Sequence, residues 1–313
     1  MKTFLILLTF LSISLFTLHG EEKKSALREK RKIAKHLKEF GVNSAAELEK
    51  QAEQYCANGT YNLAINRYIA LEKLFPEFKK PEEILMLIAG LQYMSDKPKD
   101  ALVSIDQYGE KYPDSPKITQ LVSLSYEIGK NYTLGKNKNY KGFSSSLYAI
   151  EAFEFVIKHD PYSPEASQSL LSIAIINMDN KLYKDAIIRL KEIQHKQPET
   201  EISAKADVYL GECYLRMNKG STYSLDYLTE AQKYLEIYEN QHTEGKDIKY
   251  AKKLLKETYL RMGIASVENI RYYCTAKKWK AALYYIDRVL KNPKLTAVYD
   301  DAKALEKYVK KHN

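Results

Sequence analysis

The sequence has little of what enzymes, metal proteins and loop-rich folds depend on. Its 313 residues include only 12 Gly and 9 Pro, which leaves little room for β-turns or disordered linkers. No glycine-rich segment is spaced to cradle a phosphate, and no nucleophile elbow is present. The six His are not spaced with Cys or acidic residues in the way a metal site requires. We therefore predict a chain that is not an enzyme and that uses no metal and no cofactor.

The charge pattern does not indicate a nucleic-acid binder. The formal net charge is +9, but the lysines are spread through every predicted helix and form no single stripe. No RNP, KH or zinc-finger motif accompanies them. Such a surface suits anionic lipid headgroups or an acidic protein partner, and we expect no nucleic acid among the partners.

What the sequence does contain is a recurring helical sequence motif, which we call the helical phrase and which is clearest at residues 182–198. Tyr183 stands three residues before Ala186, Leu190 and Ile193 follow that alanine by four and seven residues, and Pro198 comes soon after. Spacings of three and four place side chains on one stripe of a helix. The alanine lets a neighbouring helix come close, and the proline cannot continue the helix.

The phrase recurs along the chain. Its alanines are Ala64, Ala101, Ala149, Ala186 and Ala282. The first two, and likewise the third and fourth, are 37 residues apart, close to the roughly 34-residue period of tetratricopeptide (TPR) helix-turn-helix repeats. The sequence therefore predicts an all-α protein, a right-handed superhelical array of TPR repeats in which each unit packs on its neighbours. The 26 Tyr fill the aromatic positions of such repeats or form an exposed stripe that binds a partner.

The chain divides into four predicted parts. They are a signal peptide at 1–20, a basic N-terminal arm or helix at 21–43, five to six TPR-like repeats at 44–295, and a C-terminal capping helix at 296–313. Two connections are longer than a TPR turn, at 131–142 and 219–225, and long loops in compact arrays are usually functional or mobile.

The N-terminal residues predict an exported chain. Lys2 gives a basic start, residues 4–18 are apolar, and a polar chain begins at Glu21. Cleavage after Gly20 and retention as an uncleaved anchor are both open. The basic segment 21–43 is either a solvated capping helix or flexible arm, or a contact to anionic lipid worth about 1 kcal/mol per basic residue.

The three cysteines are expected to be buried, unpaired thiols. Exported chains often pair cysteines, but Cys56, Cys213 and Cys274 fall in different predicted repeats. A disulfide requires Cα atoms within a few ångströms of each other.

The predicted binding surface is the concave groove lined by the first helix of each repeat. Its residues, taken as those not used in packing, are Glu49, Glu53, Met86, Tyr93, Gln120, Ser172, Ile175, Val208 and Glu212. A groove that mixes apolar, aromatic and acidic groups suits an extended peptide with apolar side chains and some positive charge.

The order of these features resembles a known family, the outer-membrane protein assembly lipoprotein BamD (YfiO/ComL). The phrases that carry the resemblance are NGTYNLAI at 58–65, DPYSP at 160–164 and ADVYLGECY at 206–214. A fourth begins on the long helix predicted at about 248–276 and continues into the helix after it, with Arg261, Glu268, Arg271, Tyr273, Trp279, Ala281 and Ala282 in that order. The expanded third repeat and the insertion in the fifth have the same order. The resemblance covers roughly residues 45–310.

The resemblance implies a non-catalytic periplasmic TPR adaptor, peripheral at the outer membrane, that docks partner proteins and peptides in outer-membrane protein assembly. Its N-terminal repeats would receive unfolded outer-membrane protein segments, and the C-terminal part with Arg261 would dock the barrel-forming assembly subunit. The lipidated cysteine of the family is missing here, and the basic arm at 21–43 is extra. The alternative is a structural TPR scaffold of another cell-envelope or cell-wall complex.

Overall fold

The computed structural model describes residues 31–134, 143–220 and 225–312, which form α-helices, one 3₁₀-helix and short connections. The helices are α1 (Ala45–Ala57), α2 (Tyr61–Leu74), α3 (Pro81–Met94), α4 (Pro98–Lys111), α5 (Ile118–Thr133), α6 (Phe143–His159), α7 (Pro164–Asp179), α8 (Tyr183–Lys196), α9 (Glu201–Met217), α10 (Asp226–Gln241), α11 (Lys246–Thr275), α12 (Trp279–Lys291) and α13 (Tyr299–His312), with the 3₁₀-helix at Pro293–Val298.

The chain forms two compact units that divide after Ile128, within α5. In the first unit α1 packs on α2, α2 on α3, and α3 on α4. In the second unit each helix from α6 to α13 packs on the next one described. The predicted all-α fold of TPR-type helical hairpins is confirmed.

The helical phrase explains how each hairpin closes. Its alanines are fully buried, and the apolar residues four and seven places later are at most 5% exposed. These alanines are Ala64, Ala101, Ala149, Ala186 and Ala282, and Ala231 on α10 is followed by buried residues at the same two spacings. Five second helices end two residues before a proline, at Pro76, Pro113, Pro161, Pro198 and Pro293. The proline disfavours a helical conformation in the residue before it, so the helix stops there.

Within four hairpins the turn between the helices has one geometry. Its central residue has a positive φ: 70° at Gly59, 58° at Asp96, 62° at Lys181 and 55° at Lys277. In the third of these turns, for example, the Leu182 amide donates to the Asn177 carbonyl (2.8 Å). This bond satisfies a carbonyl at the end of the first helix and reverses the chain.

The described part of the basic arm packs against the first unit. Residues 31–39 are helical, and Leu37 and Val42 are buried in the core formed with α1 and α2. The Arg67 guanidinium lies 4.4 Å from the ring centre of Phe40. Residues 31–43 therefore cover the apolar edge of the first hairpin.

Some predicted segments lie outside the described residues. These are the signal peptide at 1–20, the start of the arm, most of the loop at 131–142 and the centre of the loop at 219–225. The third-repeat loop begins later than predicted, because α5 continues to Thr133. The last helix begins at Tyr299, since the 3₁₀-helix occupies the preceding residues. In the described ranges no helix is long and apolar enough to cross a membrane.

Candidate functional site

In the first unit the predicted groove residues lie on the first helices of the hairpins. All five are exposed or half-buried: Glu49, Glu53, Met86, Tyr93 and Gln120. Glu49 is held by Lys79, whose Nζ lies 2.6 Å from the Glu49 Oε1. A partner that used this carboxylate would first have to displace that ion pair.

In the second unit one groove prediction is wrong. Val208 is 3% exposed and packs in the core that α9 shares with α10 and α11, so it cannot contact a partner. Ile175 is half-buried, and the Ser172 hydroxyl donates to the Gln168 carbonyl of the preceding turn (2.8 Å). Spacing alone misassigned Val208 because α9 has packing neighbours on two sides.

Glu212 and Arg261 are brought together in one charged network between α9 and α11. Glu212 lies 3.5 Å from Arg216, Arg216 lies 3.7 Å from Glu257, and Glu257 lies 2.6 Å from Arg261. The pKa of Tyr250 is raised to about 12, mainly by burial and to a smaller extent by a hydrogen bond to Glu212. The network cross-links the two helices with alternating charges.

Arg261 also caps the C-terminal end of α9. Its Nη1 donates to the carbonyl oxygens of Leu215 (3.4 Å) and Asn218 (3.1 Å). These carbonyls are among the groups that a helix end leaves unpaired, and a cation there is also favoured by the helix dipole. Arg261 therefore has a structural role in addition to the docking role predicted for it.

A cluster of four tyrosines lies where α11 ends and α12 begins. The rings of Tyr273 and Tyr285 are stacked, with centroids 5.2 Å apart. Tyr272 packs edge-on against Tyr273 at 5.5 Å, and Tyr284 packs edge-on against Tyr285 at 5.3 Å. The Arg288 guanidinium lies 5.8 Å from the Tyr284 ring centre. We call these five residues the tyrosine face.

The outer members of the tyrosine face are open to solvent. Tyr272 is 63% exposed and Tyr284 is 58% exposed. Farther back on α11, Leu260 and Ile264 are 43% and 44% exposed. Sequence reasoning left open whether the tyrosines form a core or an exposed stripe. The signal for this cluster was available, since the Tyr-Tyr pair at 272–273 recurs at 284–285.

A separate cleft opens where α8, α9 and α10 meet. Its volume is about 670 Å³, and its floor carries Asp207. Asp207 is 8% exposed, and the Gln194 side-chain amide donates to its Oδ1 (2.6 Å). Burial raises the pKa of Asp207 to about 6, while the Gln194 hydrogen bond and the charge of His242 act in the opposite direction.

The cysteines match the prediction of unpaired thiols. Cys213 and Cys274 are buried and Cys56 is half-buried, and all three are free. Burial raises the pKa of Cys213 to about 12, which keeps it a neutral thiol. Across the described ranges, no group of three or more His, Cys, Asp or Glu is arranged to hold a metal ion.

No protein family's sequence profile matches the chain, and no curated protein matches it. Among solved structures, MamA is 16% identical over 61% of this chain and 93% of its own, with a TM-score of 0.34. A tetratricopeptide repeat protein from Parabacteroides merdae is 14% identical over 85% of this chain and 92% of its own, with a TM-score of 0.34. PilW, a type IV pilus biogenesis factor, is 16% identical over 82% of this chain and all of its own, with a TM-score of 0.30. None of these likenesses assigns the chain a function.

Proposed function

We propose that this chain is a non-catalytic TPR adaptor of the cell envelope that docks another protein on its tyrosine face. The observation that carries the proposal is the exposure of Tyr272 and Tyr284, whose rings pack edge-on against the stacked pair Tyr273 and Tyr285. A tyrosine needed only for folding would be buried, as Tyr108 is. Exposed aromatic rings are rarely grouped without a partner to cover them.

The composition of the tyrosine face suits a protein interface. Tyrosine and arginine are the residues that most often dominate binding energy at such interfaces. A tyrosine side chain is rigid and offers both a large apolar surface and a hydroxyl. The stacked partners Tyr273 and Tyr285 hold the outer rings in place, so less entropy is lost on binding.

The proposed partner follows from the resemblance to the BamD family. There the C-terminal part with the long final helix would dock the barrel-forming assembly subunit, and the tyrosine face lies on that part. The first unit would then receive unfolded outer-membrane protein segments along Met86 and Tyr93. Under this proposal the work is binding alone, with no bond made or broken and no cofactor.

We place the adaptor in the periplasm, peripheral at the outer membrane, on the strength of the export signal predicted at 1–20. Without a lipidated cysteine, the basic arm would supply the contact to anionic lipid. Arg31, Lys32, Lys35 and Lys38 are exposed, while the apolar side of the same helix packs against the first unit. The helix can therefore present charge to a membrane without unfolding.

The rival function is a structural scaffold of a cell-wall complex, and site-specific crosslinking in intact cells separates the two. A photoreactive residue would replace Tyr272 or Tyr284. The matched control is Tyr162, which is 74% exposed and lies outside the tyrosine face. Adducts with the barrel-forming subunit at 272 and 284, and none at 162, would support the adaptor. Adducts with wall enzymes would support the scaffold, and equal or absent adducts at all three positions would remove the tyrosine face as a docking site.

A further inference from the structure

The cleft above Asp207 holds a buried carboxylate that no lysine or arginine of the described lining pairs with. Asp207 is more than nine-tenths buried, yet among the described residues its side chain accepts a single neutral hydrogen bond, from Gln194 to Oδ1. No described residue donates to Oδ2. A buried carboxylate without a cationic partner is costly, so such groups are normally paired or bound to a cation.

The walls of the cleft add to the negative charge. Glu199 and Glu201 lie at the rim, and no Lys or Arg lines the cleft. Glu201 forms an ion pair at 2.8 Å with Lys205, and Lys205 does not line the cleft. The charged side chains that line the cleft are therefore acidic apart from His242, although the net charge of the whole chain is +9. An anion would be repelled here and a cation attracted.

The remaining lining suits an alkyl chain that leads to that charge. Tyr234, Ile237 and Pro198 give apolar wall, and Ile237 is 36% exposed. His242 forms another side, and its Nδ1 donates to the Tyr238 carbonyl (3.0 Å). The other ring nitrogen of His242, Nε2, takes no part in this bond. A volume of about 670 Å³ is within the roughly 300–1,000 Å³ that ligand pockets span.

We propose that this cleft binds the alkylammonium group of a lysine side chain from a polypeptide partner, with the ammonium at the Oδ2 of Asp207. An ammonium is a compact charge that needs only one oxygen, whereas guanidinium pairs best with both oxygens of a carboxylate. Because Gln194 already donates to Oδ1, a two-point pair with guanidinium would have to share that oxygen, and lysine is preferred to arginine. The site is separate from the tyrosine face and does not depend on the docking proposed there.

The test is a titration of the full chain with small probes, followed by calorimetry and by amide NMR signals of Gln194, Ile237 and His242. The probes are Nα-acetyl-lysine methylamide, its arginine counterpart, the uncharged norleucine counterpart, and cadaverine. We expect the lysine probe to bind at least about tenfold more tightly than the norleucine probe, a difference of about 1.4 kcal/mol. Arginine should fall between the two.

Asp207→Asn is the decisive variant, because it keeps the shape of the side chain and removes the charge. It should weaken the lysine probe at least about tenfold and leave the norleucine probe unchanged. Asp185→Asn, at an exposed position on α8, is the matched control and should change neither. Equal affinity for lysine and norleucine, or full affinity in Asp207→Asn, would overturn the proposal. Cadaverine binding as tightly as the lysine probe would overturn the polypeptide source and assign the site to free alkylamines.

Discussion

Gly211 and Leu235 mark the closest approach of α9 and α10. A Cβ added at Gly211 would lie 2.5 Å from the Leu235 Cγ, well inside van der Waals contact. Leu235 is fully buried four residues after Ala231, at the repeat position where α6 has Phe153. That phenylalanine meets Gly129 in the same way, with a distance of 2.6 Å to its Cε1. Glycine on the first helix thus makes room for the large residue of the second.

We therefore expect Gly211→Ala to destabilise the second unit by about 2 kcal/mol, because overpacking a tight core typically costs about 1–3 kcal/mol. Urea unfolding monitored by circular dichroism would measure the loss. Gly90→Ala is the matched control, since nothing lies within 4 Å of a Cβ at that helical glycine. It should be neutral or stabilise by about 0.5–1 kcal/mol through helix propensity. Equal effects of the two substitutions would contradict the close approach.

The burial of Asp207 predicts an unusual pH dependence of stability. Its pKa is raised from 3.8 to about 6 in the folded chain. Above about pH 6 the carboxylate is ionised in both states, and the folded state bears the cost of the buried charge. Below about pH 4 it is protonated in both states and the cost is gone. The free energy of unfolding should therefore gain about 3 kcal/mol from this group as the pH falls through that window, since one pKa unit corresponds to about 1.4 kcal/mol.

Asp207→Asn isolates this contribution. The other groups that face the cleft are Glu199 and Glu201 before and at the start of α9, and Tyr234 and His242 on the side of α10. They are unchanged in the variant. The stability of Asp207→Asn relative to the natural chain should be highest near neutral pH and shrink toward pH 4. Parallel pH profiles for the two proteins, in unfolding experiments without any added amine, would show that Asp207 is not strained by burial.

The helical phrase was sufficient to predict the fold because its signal is local. Ala186, Leu190 and Ile193 occupy one stripe of a helix, and a stripe of small and apolar residues has to be buried. The binding surface was harder, since whether a side chain faces solvent depends on helices that are distant in sequence. Val208 illustrates the error, because α9 is covered on two sides. Asp207 could not be singled out either, since its environment comes from residues on α8 and α10.

The turn at Lys181 predicts a substitution that stabilises. A non-glycine residue at a φ of 62° carries a left-handed conformation that costs about 1–2 kcal/mol. Lys181→Gly removes that cost but makes the unfolded chain more flexible. We expect a net gain of about 0.5–1 kcal/mol, seen as a higher midpoint of thermal unfolding. Lys253→Gly, at an exposed position inside α11, should instead lose about 1 kcal/mol. A loss in both variants would contradict the strained turn.

The contacts of Arg261 predict a loss of stability that must be separated from any loss of docking. Arg261→Ala removes hydrogen bonds to two carbonyls at the end of α9 and the ion pair to Glu257. Hydrogen bonds to charged groups contribute about 1.5–3 kcal/mol when buried, and this side chain is 34% exposed. We expect about 1–2 kcal/mol of destabilisation by chemical unfolding. Unchanged stability together with lost docking would return Arg261 to the direct role predicted from the sequence.

The tyrosine face makes the last prediction. Replacing both Tyr272 and Tyr284 by Ala should weaken binding of the docked partner by about 2–4 kcal/mol, because truncating an aromatic hot spot typically costs at least about 2 kcal/mol. The free energy of unfolding should change little, since both rings are more than half exposed. Surface plasmon resonance with the crosslinked partner, purified, would measure the affinity. Tyr162→Ala should bind as the natural chain does, since that exposed ring lies apart from the tyrosine face. If the double variant binds with undiminished affinity, the partner rests on another surface of the second unit, for which Leu260 and Ile264 are the next positions to substitute.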